Sequence, residues 1–311
     1  MRTLKSLKTP LRYPGGKSRA LTKLFQYTPD LKNYTEYREP FLGGGSVALE
    51  VTKRYPHLDI WVNDLYEPLY NFWRVLQDNG NEIKNILLQL KQRHPDPTSA
   101  KQLFLDAKDY LSGSQTTVQF PPYNQDIWRA VCFYIVNKCS FSGLTESSSF
   151  SKQASDSNFS FNGIEKLTDY QALIGNWKFT NLHYEKLFTD SKRVFVYSDP
   201  PYDIKANLYG RRGSMHKQFS HDDFAADSDR YIAPHLVSYN SSQLVKERFE
   251  GWKVSEFDHT YTMRSTGSYS KDQQERKELL LFNYEQTPKI KLKFEGCYNY
   301  ERLKKEGLID A

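Results

Sequence analysis

A chain of 311 residues has room for one large domain, or for a core domain carrying an insertion. Its 38% hydrophobic and 15% aromatic content excludes wholesale disorder. No apolar run reaches membrane-spanning length, and Cys132, Cys139 and Cys297 offer neither an even disulfide framework nor zinc spacing, so they read as reduced packing thiols. A net charge of +6 fits a nucleic-acid partner, although where the charge sits matters more than its sum.

Through residue 38 the basic positions Arg2, Lys5, Lys8, Arg12, Lys17, Arg19, Lys23, Lys32 and Arg38 face only Asp30 and Glu36, which makes this segment a candidate phosphate-facing surface. The start of the chain is basic but lacks the apolar core of a signal peptide, and a cytoplasmic protein is expected. Pro14-Gly15-Gly16 then demands a turn, and Ser18 can cap a helix carrying Leu21, Leu24 and Phe25 at helical spacing. Gly15-Gly16-Lys17-Ser18 is not a phosphate loop, because the glycine required five places before Gly16 is Leu11. What remains is a tight turn that brings the Tyr13 ring and the Lys17 cation together.

A short strand ending near Pro40 leads into Phe41-Leu42-Gly43-Gly44-Gly45, and Ser46 opens a helix with Val47, Ala48, Leu49 and Val51. Strand, glycine turn and helix is the arrangement that lets backbone amides approach a ligand. The strand Leu58 to Asn63 ends in Asp64, about 20 residues past the glycines, where an acid in such folds binds ribose hydroxyls. Loop and acid together favour a nucleoside-type ligand.

From Glu67 to about Gly175 the pattern turns helical, with stripes at Ile83, Ile86, Leu87 and Leu90, at Leu103 to Leu111, and at Ile127, Val131, Tyr134, Ile135 and Lys138. The last stripe runs into Asn137-Lys138-Cys139-Ser140 and a serine-rich run with Phe150, Lys152, Phe159 and Phe161. Residues 76–176 read as an insertion between two halves of a sheet, with a loop or hairpin able to enter a groove. Sheet resumes at Trp177 to Asn181 and reaches the stretch around which the chain is organised, Val194 to Ser198 followed by Asp199-Pro200-Pro201-Tyr202. The five strand residues suit a buried parallel strand, and the prolines stop it abruptly, leaving Asp199 rigidly held at the carboxyl edge where ligands of open α/β sheets bind. Beyond lie a cationic segment with Arg211, Arg212, His216 and Lys217, strands at His235 to Tyr239, Lys253 to Phe257 and Leu279 to Phe282, and a helix from Ser242 to Phe249.

The order Tyr13-Pro14-Gly15-Gly16-Lys17, Pro40-Phe41-Leu42-Gly43-Gly44-Gly45, Asn63-Asp64, an insertion, and Asp199-Pro200-Pro201-Tyr202 resembles the Dam-like N6-adenine DNA methyltransferases. The resemblance spans about residues 11–285. It implies an α/β, Rossmann-like mixed sheet built from residues 1–75 and 177–311, with a target-recognition region at 76–176. It further implies S-adenosylmethionine as methyl donor without a metal, double-stranded DNA as substrate, a monomer, and a restriction endonuclease as partner where the enzyme belongs to such a system. By matching motif, Tyr13, Gly15, Gly16, Lys17, Phe41, Gly43, Gly45, Ser46, Asp64 and Asp199 would hold the cofactor. Asp199, Pro200 and Tyr202 would act on a flipped-out adenine, and Arg12, Lys138, Ser140, Lys152, Arg211, Arg212 and Lys217 would contact DNA. One subgroup of the family carries an arginine in its recognition hairpin; Gly143 to Ser148 has none, so a GATC target is not implied. The same scaffold also serves N4-cytosine and RNA-adenine methylation, and a decayed DNA-binding relative would retain the fold.

Overall fold

The computed structural model describes residues 7–13, 15–113, 124–141, 148–203, 219–258 and 277–285. Seven strands form one sheet: β1 (Glu36–Glu39), β2 (Asp59–Asn63), β3 (Lys178–Thr180), β4 (Val194–Ser198), β5 (His235–Asn240), β6 (Lys253–Asp258) and β7 (Lys277–Phe282). Their spatial order is β3-β2-β1-β4-β5-β7-β6. The first five run parallel, and β7 lies antiparallel between β5 and β6. β4 is central and buried along its whole length, as a run of Val, Phe, Val, Tyr and Ser between two parallel neighbours requires.

Alternation along the strands divides the core between the two faces. Phe195, Tyr197, Leu280 and Phe282 point into one hydrophobic cluster, while Val194, Val196, Leu279 and Leu281 point into the other. The first cluster is covered by the helices α1 (Leu21–Tyr27), α2 (Ser46–Arg54), α3 (Glu67–Arg93), α4 (Pro97–Leu111), α5 (Gln125–Cys139), α7 (Phe161–Glu165) and α8 (Leu167–Leu173). The second is covered by α9 (His221–Arg230) and α10 (Gln243–Arg248). Helix α3 runs unbroken through residue 75 with a non-helical Asn79 at its kink, so the helices of 76–176 share one core with the sheet.

Local chemistry accounts for most helix starts. Asn124, Ser151, Ser160, Ser220 and Ser242 each accept a first-turn amide in their side chains. The serine-rich run therefore holds α6 (Lys152–Ser157) and α7 rather than a long loop. An antiparallel bridge pairs Ser140 with Phe150, and residues 142–147, where the hairpin was expected, lie outside the described set. Ser18 does not cap α1; it falls inside a short 3-10 turn over Lys17–Arg19, and Ala20 occupies the cap position without a side-chain bond.

Candidate active site

Parallel strands deliver their last residues to one edge. Glu39 closes β1, Asp64 follows β2, and Asp199 follows β4. Because β7 runs the opposite way, its beginning reaches the same edge and brings Glu278 opposite Asn240 of β5. Around this edge lies a cavity of about 600 Å³, lined by Tyr13, Gly15, Gly16, Lys17, Phe41, Gly43, Gly45, Ser46, Asp64, Asp199 and Tyr202 among others. Asp64 and Asp199 therefore face one space, large enough for a nucleoside-bearing ligand and a second planar ring.

The glycine turn forms the floor. Gly43 and Gly45 take φ of 49° and 68°, the left-handed region in which a side chain is strained. A Cβ on Gly43 would also stand 2.9 Å from the Tyr13 ring, and one on Gly45 would stand 2.7 Å from Trp73. Trp73, wholly buried, donates its indole N–H to the Gly43 carbonyl at 3.1 Å and supports the turn from behind. The Gly43 amide in turn donates to Asp64 Oδ2 at 2.9 Å, and the Tyr66 amide donates to Oδ1 at 3.0 Å. These bonds aim the carboxylate but leave it acceptor capacity. Burial pushes the Asp64 carboxyl up to about 6, with the two amides pulling the other way.

The opposite wall is a buried polar cluster. Lys17, 2% exposed, donates to both Asp199 oxygens at 2.7 and 2.8 Å, to the Tyr202 hydroxyl at 2.6 Å and to the Gly15 carbonyl at 3.1 Å. Its Nζ also stands 3.2 Å from Glu278 Oε1, and Glu278 has no exposed surface. The Tyr202 hydroxyl donates to Glu278, and Ser238 Oγ donates to Asp199 Oδ1 at 3.1 Å. Burial disfavours the Lys17 charge, yet Asp199 and Glu278 outweigh it and hold the ammonium above the usual lysine range. Burial lifts the Asp199 carboxyl above its ordinary range, Lys17 opposing and Glu278 adding to the shift. The Asp199 side chain remains 21% exposed, so a ligand can reach it. Pro201 lines the cavity with Asp199, while Pro200 is buried behind it. The Tyr202 ring lies nearly parallel to Tyr239, centroids 6.0 Å apart.

Glu39 and Glu278 escape sequence reasoning. Glu39 is 2% exposed, accepts the Tyr37 hydroxyl at 2.6 Å, and is pushed well above the usual carboxyl range by burial. It shares the buried face of β1 with Tyr37 by strand alternation, a signal readable only once that face is known to point into the core. Glu278 sits at the start of an apolar strand, where an acid ordinarily marks a solvated end.

Of the residues expected to touch DNA, Arg12, Lys138 and Ser140 lie together. Arg12 is half-buried and donates to the Ser140 carbonyl at 2.6 Å, while its backbone exchanges hydrogen bonds with the Asn137 side chain. Lys138 lies over the Tyr134 ring, and burial lowers it to about 8, with Arg12 adding to the shift. Ser140 differs from expectation: it is fully buried and its hydroxyl donates to the Asn137 carbonyl. Lys152 is exposed at the start of α6. Arg211, Arg212 and Lys217 lie outside the described residues. Among the described residues no cluster of three or more His, Cys, Asp or Glu side chains is disposed to hold a metal ion, and no helix is long and apolar enough to cross a membrane.

The sequence profile of the D12 class N6 adenine-specific DNA methyltransferases matches residues 13–263. The chain is 24% identical over 288 residues, 88% of its length and 94% of the relative's, to type II methyltransferase M1.LlaDCHI of Lactococcus lactis subsp. cremoris. It is 24% identical over 203 residues, 62% of its length and 68% of the relative's, to type II methyltransferase M.MjaIII of Methanocaldococcus jannaschii. Modification methylase StsI of Streptococcus sanguinis matches at 23% over 306 residues, 91% of this chain and 44% of that protein.

Proposed function

The chain belongs to the D12 class N6 adenine-specific DNA methyltransferase family, and from that premise we propose that one cavity receives S-adenosylmethionine at its Asp64 end and an extruded adenine of duplex DNA at its Asp199 end. The observation that carries this reading is that both acids, distant in sequence, line the same 600 Å³ space. Its residues suit the cofactor: a carboxylate fixed by two amides has lone pairs left for ribose hydroxyls, and a glycine turn lets backbone lie against the ligand. When bound, S-adenosylmethionine supplies a methyl group activated by a sulfonium.

The chain's own contribution is electrostatic. The lone pair of an exocyclic amine is delocalised into the purine ring and must be localised before it can attack. Asp199 accepts one N–H of the amine and the Pro200 carbonyl the other, which pyramidalises the nitrogen and meets the positive charge that develops on it. Consecutive prolines fix both acceptors in place. Tyr202, held by Lys17, Glu278 and Tyr239, presents a rigid aromatic wall to the base. Since a stacked base cannot enter such a cavity, the nucleotide is rotated out of the duplex.

Residues 76–176 supply the groove-facing part, with Lys152 on their surface and the hairpin expected between the bridged Ser140 and Phe150 as the reading element. The substrate is a particular short sequence in cytoplasmic DNA, and the names of the relatives favour pairing with a restriction endonuclease. Incubating the purified monomer with duplex DNA and S-adenosylmethionine, then digesting to nucleosides, should yield N6-methyladenine by mass. N4-methylcytosine alone, or no methylated nucleoside despite cofactor binding, would overturn the reading.

A further inference from the structure

Two cations meet beside the cavity with no anion between them. Lys138 lies in the last turn of α5 with its ammonium over the Tyr134 ring, and among the described residues it makes no hydrogen bond or ion pair. Arg12 stands next to it from the N-terminal segment, donating to the Ser140 carbonyl, and its charge adds to the burial that lowers Lys138. The other groups facing the pair supply no counter-charge. Lys91 of α3 is a third cation, turned to the Ser155 carbonyl and the Phe159 ring. Burial pushes the Tyr134 hydroxyl up and the Cys139 thiol to about 11, so both are neutral where Lys138 titrates. A half-buried cation without a partner is held at a cost that only an anion from outside can offset. Part of each side chain reaches the surface, so such an anion has access. The location is informative too: Arg12 precedes Tyr13, which lines the cavity, and Lys138 shortly precedes the bridged Ser140.

We propose that Arg12 and Lys138 together seat one DNA backbone phosphate beside the extruded nucleotide, and that Lys138 takes up a proton as the phosphate arrives. This rests on the DNA adenine methyltransferase reading above and adds to it a proton-linked step in substrate binding. In the free protein Lys138 titrates near 8, so around that pH many molecules carry a neutral amine there. A phosphodiester is anionic across this range and favours the ammonium. The proton comes from water or buffer and returns there when the DNA leaves, and no covalent bond to the phosphate forms or breaks. The free protein's stability carries the matching sign. A folded value below the unfolded 10.5 means that folding disfavours the charged lysine, so the deficit is full below 8 and disappears as pH rises toward 10.5.

Fluorescence anisotropy of a labelled, mixed-sequence DNA duplex at fixed low ionic strength tests the proposal. Affinity should fall about fivefold from about pH 7 to about pH 9, the ratio expected when a phosphate raises a group from about 8 to roughly 9. Lys138→Met should bind on the order of tenfold less tightly at about pH 7, lose the alkaline fall, and reduce the slope of log affinity against log salt by about 1. Lys138→Arg, charged throughout, should bind equally at both pH values. Lys138→Met should also unfold at a higher temperature than the unaltered protein at neutral pH, because it removes the unpaired cation. An affinity that stays level across this range, a fall that survives in Lys138→Arg, or undiminished binding by Lys138→Met would overturn the proposal. So would a Lys138→Met protein that folds less stably, since Lys138 would then be a structural cation. If the unaltered protein binds no duplex DNA at any pH, or makes no N6-methyladenine, the functional reading itself has failed, a result distinct from any of these.

Discussion

Cofactor affinity should weaken as pH falls through about 6, and Asp64→Asn should abolish that dependence. Burial raises the Asp64 carboxyl to about 6, so in the free protein half the sites are protonated there. Ribose hydroxyls donate hydrogen bonds and select the ionised form, which draws the value down in the complex. The free protein carries the opposite sign. A folded value above the unfolded 3.8 means that folding favours the protonated acid, so this contribution is fully present below 3.8 and is lost as pH rises through 6. The loss amounts to about 3 kcal/mol at ~1.4 kcal/mol per unit, and ligand binding offsets part of it. One unit below the midpoint about ten sites in eleven are protonated, so affinity near pH 5 should be about tenfold weaker than near pH 8. Calorimetric titration with S-adenosylmethionine on the unaltered protein and on Asp64→Asn separates this acid from the others, since only the difference between the two curves belongs to it. A flat curve for the unaltered protein, or the same midpoint in the asparagine variant, would refute the argument.

Gly45→Ala should cost about 3 kcal/mol in urea unfolding, since it adds left-handed strain to an overlap with a buried tryptophan; a change under about 0.5 kcal/mol would mean the turn relaxes freely. Asp199→Asn keeps shape but removes the charge facing the amine, and single-turnover methylation should fall on the order of 100- to 1,000-fold with cofactor affinity changed far less. Activity within about tenfold of normal would dismiss the carboxylate's role. Cys132 and Cys139 are buried, the Cys139 thiol pushed up to about 11, so alkylation followed by peptide mapping should leave both unmodified until the protein is denatured.

Motifs made of consecutive residues translated almost directly into structure. Val194–Ser198 became the central strand with Asp199 at its end, because an apolar run stopped by two prolines has few other conformations. The glycine turn before Ser46 and the acid after β2 follow from equally local rules. Helix α9 was not anticipated; four acids in ten residues obscure its apolar face, and Phe224 and Ala225 bury it only because the sheet is there to receive them. Lys17 was expected at the cofactor and proved to be the centre of an ion cluster.

By itself, then, the order of residues determined the strand ends and the turn chemistry, since each depends on dihedral preferences and periodicity within a few neighbours. Only the tertiary structure decided the electrostatics of that cavity. Glu278 lies 79 positions beyond Asp199 and reaches it because β7 reverses direction, carrying the start of a strand to the edge where parallel strands finish. Burial, with Asp199 and Asp64 adding to it, holds the Glu39 carboxyl well above the usual range. Charge and burial are set by what the fold brings together across the sheet, and no spacing along the chain encodes that.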